Sequence, residues 1–467
     1  HVAQAGRVGA VVAHVLVGDA VELVGRHAGG DGGGGLRQGA GRDPAGGPDA
    51  LDGPGVLDVG GRHPLGPVVE HVLGTGDRPR DVAVGTEPSL RERAIFIPKE
   101  ELNGAVDGDK VVVEIVEWPE KANNPVGKVI DILGKEGDND TEMHAILAQY
   151  NLPYRYPKEV EQYADRIPGE IGEKEITARE DFRRVFTFTI DPKDAKDFDD
   201  ALSLRQLSPT VWEVGVHIAD VTHYVKKGDP VDVEAERRAT SVYLVDRTIP
   251  MLPERLCNDL CSLRPKEEKL CFSVIFEMND RAEVLRSRIA RTVIRSDCRL
   301  AYEDAQTVIE TRKGAYGNEI LKLNELAQQL RTRRFAAGAI NFERYEVEFN
   351  LDEKGKPLGV FFKESKEANQ LIEEFMLLAN RTVAETIGKI PKGQKAKAFV
   401  YRVHDLPDPE KLEGLNRFIL RFGYKIKAEG TKTEVAKSIN ALLDKVQGRP
   451  EENFLPKIGR ASCRERV

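Results

Sequence analysis

The sequence predicts an α+β protein, with its strands gathered early and its helices late. Short β-rich runs separated by glycine turns fill the stretch from Ile95 to Gly134. Further on, Val185-Phe186-Thr187-Phe188-Thr189-Ile190 alternates as a half-buried strand does. Beyond Asn318, apolar residues recur at helical spacing over long stretches.

The first part of the chain stands apart. Residues 1–93 are rich in Gly, Ala, Val, Arg and Asp, and they contain no Lys, Asn, Ile, Phe, Tyr, Met, Cys or Trp. A segment without aromatics or isoleucine has little with which to build a core. A Gly-rich disordered tail is one explanation. Composition favours another, non-native sequence from GC-rich DNA read in a non-coding frame, because most of the missing residues have AT-rich codons.

From Ile95 the pattern changes. Ile95-Phe96-Ile97-Pro98 is a short apolar run and Lys110–Val116 a second, with Asn103-Gly104 and Asp107-Gly108-Asp109 supplying turn chemistry between them. Gly127–Leu133 forms a third, closed by Gly134. Such strands over 94–140 suit a partial OB-type barrel lacking its first strands; a plain β-meander is the alternative. Residues 141–180 read as a linker of mixed helix and loop. The region 181–457 then carries strands at Val185–Ile190, Val211–Ala219 and Leu270–Met278. Its helices fall at Asn318–Thr332, Glu367–Ile387, Pro409–Phe422 and Thr433–Val446. The closing stretch 458–467, IGRASCRERV, resembles a translated sequencing-library adapter rather than part of the fold.

Composition narrows the class. The hydrophobic fraction is 40% and the charged fraction 31%, as in soluble globular proteins. No apolar run reaches membrane-spanning length, and no basic stretch leads into an apolar segment at the start, which argues against a signal peptide. Five cysteines without a CxxC pair point to reduced thiols in a cytoplasmic protein. The net charge of −8 is weak evidence against nucleic-acid binding, since a chain that threads RNA through a channel needs only local positive charge.

The richest segment is Asp191-Pro192-Lys193-Asp194-Ala195-Lys196-Asp197-Phe198-Asp199-Asp200, with five aspartates in ten positions. It lies between an apolar strand and the next strand beginning Ala201–Leu204, so it is a loop held by buried neighbours. Crowded carboxylates repel one another, and a divalent cation relieves that repulsion. Oxygen-only ligands suit Mg²⁺ or Mn²⁺, and two such ions can clamp the oxygens of a phosphodiester hydrolysis. An acidic surface loop is the ordinary alternative. A calcium loop is disfavoured by the spacing and the missing glycine.

The stretch TIDPKDAKDFDDA resembles the catalytic signature of the ribonuclease R/ribonuclease II family. Further blocks agree: VHIADVTHYV (216–225), RRATSVYL (237–244), IPMLPERLCNDLCSLRP (249–265), ANQLIEEFMLLAN (368–380) and FVYRVHDLPDPEKL (399–412). Upstream, IFIPKEELNGAVDGDKVVVEI (95–115) and NPVGKV (124–129) resemble a cold-shock domain. The resemblance covers about Ile95 to Lys457. It implies a partial cold-shock barrel followed by a mixed α/β ribonuclease II catalytic domain, incomplete on its C-terminal side.

By this resemblance Asp191, Asp197 and Asp200 are metal ligands for Mg²⁺ or Mn²⁺, and Asp199 positions the attacking water. Tyr243 and Phe342 stack on nucleotides at the RNA 3′ end. Tyr302 and Glu373 contact the terminal nucleotides and favour ribose over deoxyribose. Without the family, a lone Tyr or Phe on a strand is a core residue and Glu373 a solvated helix position. Asp194 reads as solvated, His217 and His223 as structural, and Asp220 as a cap or turn residue. Arg331, Arg333, Arg334, Lys392, Lys395 and Lys397 fit either phosphate contacts or a solvated basic face.

The implied activity is processive 3′-to-5′ hydrolysis of single-stranded RNA to nucleoside 5′-monophosphates, with no DNA substrate and no membrane partner. The family's Ser-Pro-Ile-Arg-Arg-Tyr-like block, whose arginines contact the scissile phosphate, is not found in the sequence. Two alternatives therefore stand beside the enzyme: a chain that binds RNA without cutting it, and a structural domain whose acidic loop only binds a cation.

Overall fold

A computed structural model describes residues 68–72, 80–84, 94–117, 125–150, 152–340, 345–352, 355, 357–390, 393–395, 397–401 and 408–453. Phe342, Lys392 and the adapter-like 458–467 lie outside the described residues, as does all of 1–93 except two short strands. The chain divides into two compact units after Arg155.

The N-terminal unit contains β1 (Val68–Val72), β2 (Arg80–Val84), β3 (Ala94–Ile97), β4 (Asp109–Glu117) and β5 (Val126–Lys135). Their order is β1-β2-β3-β5-β4, and β4 pairs back onto β1 through Val111 and Val112. The β3–β5 contact is parallel and the others antiparallel. The sequence led to a barrel short of its first strands; the backbone at 68–72 and 80–84 fills those places. Strand β5 also continues through Gly134, where the left-handed φ of 133° lets the chain bulge, instead of ending there.

The valine run in β4 is explained by cover on both faces. Val111 and Val113 join Ile95, Ile97 and Val129 in one apolar cluster. Val112, pointing the other way, packs with Leu133 and with Ala145 and Ala148 of helix Asn139–Gln149.

The second unit is built on a seven-stranded sheet. Its strands are β6 (Glu180–Asp181), β7 (Thr187–Asp191), β8 (Asp200–Ser208), β9 (Val211–Ala219), β12 (Glu268–Asn279), β13 (Val284–Arg295) and β14 (Cys298–Ala301). The order is β14-β7-β8-β9-β12-β13-β6. Two short strands, β10 (Val242–Tyr243) and β11 (Thr248–Ile249), form a separate ribbon. Strands β15 (Tyr345–Leu351) and β16 (Pro357–Glu364) form a hairpin.

Period-two alternation sends side chains to both faces of the large sheet. On one face Phe188, Leu202, Val214, Val216 and Phe276 pack with helices Tyr302–Thr311, Gly317–Ala336 and Glu367–Gly388. On the other, Ala201, Ala219, Cys271 and Ile275 meet Val160, Val231, Leu256 and Leu260. Helices Pro409–Ile419 and Lys432–Val446 make their own cluster through Leu412, Leu415, Ile439 and Leu442. Thus the α+β reading holds, with strands first and helices later. Among the described residues no helix is long and apolar enough to cross a membrane, and Cys257, Cys261, Cys271 and Cys298 are free thiols.

A buried polar stripe runs through this sheet. His217 is fully buried; its Nδ1 lies 2.7 Å from Ser273 Oγ and its Nε2 2.8 Å from Ser203 Oγ. Gly215 makes room for it, because a Cβ there would stand 2.4 Å from Ser203 Oγ and 2.5 Å from His217 Nε2. The expectation that His217 is structural fits this geometry. Burial pushes its pKa down to about 3, from an ordinary 6.5. Between those values the unfolded chain binds a proton that the folded chain refuses, so stability falls as pH drops through that window. Each pH unit below 6.5 is expected to remove about 1.4 kcal/mol through this group. Urea unfolding at pH 7.5, 5.5 and 4.5 measures it. A wild-type pH slope no steeper than that of His217→Asn would refute the assignment.

Candidate active site

Strands β7 and β8 pair antiparallel through Thr187 with Ser203 and Phe188 with Leu202. Continuing that register brings Asp191, at the end of β7, and Asp199 and Asp200, at the start of β8, to the same end of the sheet. The acidic loop is the connection between them. Asp191 is buried, Asp197, Asp199 and Asp200 are half-buried, and Asp194 is exposed, as its solvated reading requires.

An aromatic anchor holds this loop. Phe198 is buried among Ala201, Ala219, Leu256, Leu260 and Leu263. Its N–H donates to Ser262 Oγ at 3.2 Å, its carbonyl accepts from Leu263 N–H at 2.8 Å, and Ser262 Oγ donates to the carbonyl of Lys196 at 2.7 Å. The neighbouring Asp199 carbonyl accepts from Ala219 N–H at 3.0 Å, which joins the loop's end to β9. Phe198 and Ser262 are absent from the sequence-based list of site residues. A hydrophobic residue amid aspartates is the one local hint of the first, and the second carries no hint at all.

The negative charge of the loop is felt nearby. Burial, and then the charges of Asp197 and Asp199, push the Cys257 thiol up to about 12. This keeps the thiol protonated and unreactive at neutral pH. Among the described residues no group of three or more His, Cys, Asp or Glu side chains is arranged to hold a metal ion. The donor set on the loop has the chemistry of a hard-cation site, all carboxylate oxygen, so it fits Mg²⁺ or Mn²⁺ in kind.

Tyr302 stands at the same end of the sheet. Strand β14 runs parallel to β7, with Ala301 paired to Asp191, and Tyr302 begins the helix that follows. Tyr243 lies on the β10–β11 ribbon opposite Thr248 and is 36% exposed. Glu373 sits on helix Glu367–Gly388, with Arg334 Nη2 at 3.5 Å and Arg331 Nη1 at 3.7 Å. The adjacent Glu374 is the buried member of the pair, and Arg334 Nε donates to its two oxygens at 3.0 and 3.1 Å.

These pairings bear on the proposed basic face. Arg334 and Arg331 serve the two glutamates, and Arg333 Nη2 donates to the carbonyls of Arg281 and Ala282. Asp220, expected as a cap or turn residue, is a buried acid: Arg179 Nη2 reaches its carboxylate at 2.8 Å and Thr222 Oγ1 at 2.6 Å. It precedes helix Val221–Tyr224 but makes no side-chain cap bond. Half-buried His223 has Glu175 Oε1 3.6 Å from its Nδ1.

Comparison with known proteins places the chain. The RNB domain model matches residues 179–463, more than half of the chain, and a cold shock domain model matches 86–157. These ranges begin upstream of Ile95 and run beyond Lys457. Ribonuclease R of Aquifex aeolicus is 36% identical over 77% of this chain and 51% of its own length. Ribonuclease R of Thermotoga maritima is 37% identical over 78% and 51%. The exosome complex exonuclease RRP44 of Mus musculus is 36% identical over 77% and 37%. The chain thus spans about half the length of the ribonuclease R relatives. Among solved structures, Mycoplasma genitalium RNase R in complex with ribose methylated single-stranded RNA has a TM-score of 0.76 at 23% identity, over 86% of this chain and 63% of that one. Yeast Ssd1, a pseudonuclease, has a TM-score of 0.62 at 20% identity, over 86% and 50%.

The two adjacent glutamates are separable by experiment. Glu374→Ala leaves Arg334 without its closest partner against the core and is expected to cost about 3 kcal/mol. Glu373→Ala removes a longer, more exposed pairing and should cost under about 1 kcal/mol. Urea denaturation of both variants checks this, and equal losses would contradict the assignment.

Proposed function

The chain belongs to the RNB-domain family, and on that premise we propose that it engages the 3′ end of single-stranded RNA and hydrolyses it processively to nucleoside 5′-monophosphates. The observation that carries this reading is the acidic loop: the family's aspartates, brought to one end of a buried sheet by the β7–β8 register. Support also comes from ribonuclease R relatives along most of the chain.

Nucleases of this family generally depend on a divalent metal. In this reading Asp191, Asp197 and Asp200 hold Mg²⁺, or Mn²⁺ in its place. The ion supplies charge neutralisation for the scissile phosphodiester. Asp199 orients the attacking water and accepts its proton, a role suited to a half-exposed carboxylate whose main chain is tied to Ala219. Tyr243 offers an exposed ring for stacking on a base, with Phe342 as its partner; stacking tolerates any base, which suits a degradative enzyme. Glu373 accepts a hydrogen bond from a ribose 2′-hydroxyl and Tyr302 contacts the same nucleotide, which disfavours DNA. The free thiols of Cys257, Cys261, Cys271 and Cys298 suit a cytoplasmic setting.

A second reading has its own observation: the fold is also that of yeast Ssd1, a pseudonuclease. Under that reading the chain binds RNA and leaves it intact.

A time course on 3′-tailed, 5′-labelled RNA with Mg²⁺ separates the two. Stepwise shortening by the wild type and none by Asp199→Asn, with RNA binding retained by both, is the expected result. RNA bound but never shortened by either chain would select the second reading. Tyr243→Ala is expected to weaken RNA binding roughly 5- to 100-fold, the value of one lost stacking contact. Unchanged affinity in a filter-binding assay would remove Tyr243 from the RNA path.

A further inference from the structure

We propose that Arg299 is a positioning residue that anchors the backbone of the acidic loop from which Asp191, Asp197 and Asp200 would take up a divalent cation. This rests on the cation reading of Asp191, Asp197 and Asp200.

Arg299 lies on β14, at the edge of the sheet, opposite Thr189 of β7. From there its side chain reaches over the loop that β7 feeds. Its Nη2 donates to the carbonyls of Pro192 and Lys193, the latter at 2.8 Å. Its guanidinium carbon stands 5.5 Å from the centroid of the Phe198 ring. One side chain therefore touches both the first residues after Asp191 and the anchor that precedes Asp199.

The loop is held from two sides. Ser262 fixes its later half through Lys196 and Phe198. Arg299 fixes its earlier half, where Ala195 N–H closes a turn onto the Pro192 carbonyl at 3.0 Å. That Pro192 carbonyl is the one Arg299 also binds. One nitrogen, Nη2, binds both carbonyls while the planar guanidinium stands beside the Phe198 ring, a fixed geometry that a flexible ammonium holds less well. Its positive charge also opposes the mutual repulsion of the aspartates. The Nε is buried and makes no hydrogen bond among the described residues. The side chain thus retains an unused donor beside the acidic loop.

Residues that orient the ligands of a metal, without touching it, typically change its affinity by roughly 10- to 100-fold when replaced. Arg299 is placed to act in this way. A purely structural arginine would alter stability and leave cation affinity alone.

Free Mn²⁺ can be followed by electron paramagnetic resonance while wild type, Arg299→Met and Arg299→Lys are titrated at constant ionic strength. Arg299→Met is expected to bind Mn²⁺ at least about ten-fold more weakly. Arg299→Lys should recover part of the loss through its charge. Amide exchange at Ala195 should speed up in the Met variant while that of the β9 and β12 core stays slow. If folded Arg299→Met binds Mn²⁺ as the wild type does, the positioning role is overturned and the cation reading survives. If Arg299→Met does not fold, wild-type affinity in Arg299→Lys overturns the role instead. If the wild type binds no more Mn²⁺ than a chain with Asp191, Asp197 and Asp200 all replaced by Asn, the cation reading fails and the proposal falls with it.

Discussion

The burial of Phe198 is the contact on which the candidate site depends. Five aspartates in ten positions make a loop that, left to itself, spreads its charges into water. Two unit charges 4 Å apart repel by about 4 kcal/mol near a protein surface. A buried phenylalanine contributes about 1.5–3 kcal/mol, and each hydrogen bond at its backbone about 1 kcal/mol more. The two tendencies are of one size. The Phe198 anchor is thus large enough to offset the repulsion of one such pair of charges.

The sheet behind the loop has a second constraint, a polar stripe inside an apolar core. Ser203, His217, Ser273 and Thr292 hydrogen-bond in that order across three neighbouring strands and into β13. Such a chain is satisfied in only one register, because sliding β9 by a residue would turn His217 to the opposite face. The same register sets Asp200 opposite Ile218 and Ala201 opposite His217. Strand alignment in the core therefore fixes where the acidic loop begins its return, a link from packing to chemistry that runs through Gly215.

Much of this was legible in the sequence, and the limits have physical causes. The strand Val211–Ala219 and the helix starting at Glu367 show strong single periods, and they were read with the right bounds or nearly so. Strand β13 was not recognised. Its alternating arginines, Arg286 and Arg288, pair with Glu277 and Glu180 on the adjacent strands and Glu213 one strand further on, so its outward residues look like a charged surface. Helix Lys158–Asp165 lies in the stretch read as mixed helix and loop, and helix Pro230–Arg238 was missed because it is short and buries few residues. At the site, the aspartates were visible because chemistry demands their residue type. Ser262 and Arg299 were not, because their roles come from a tertiary approach to backbone carbonyls, which leaves no mark on local spacing.

The fold sets the limits of what any of these residues can be asked to do. A nuclease and a pseudonuclease both superpose on most of this chain, so the seven-stranded sheet and its covering helices are compatible with either outcome. Fold alone does not decide between them, so side chains at the site carry that burden. Glu373 and Glu374 illustrate how narrow that margin is. They are adjacent on one helix and share the same arginines, yet the 100° step between them makes one a core ion pair and leaves the other accessible to a ligand. Packing fixes the helix through Leu371 and Phe375 on the buried side. The rotation so fixed, with Arg331 and Arg334 opposite, is what gives Glu373 a defined direction.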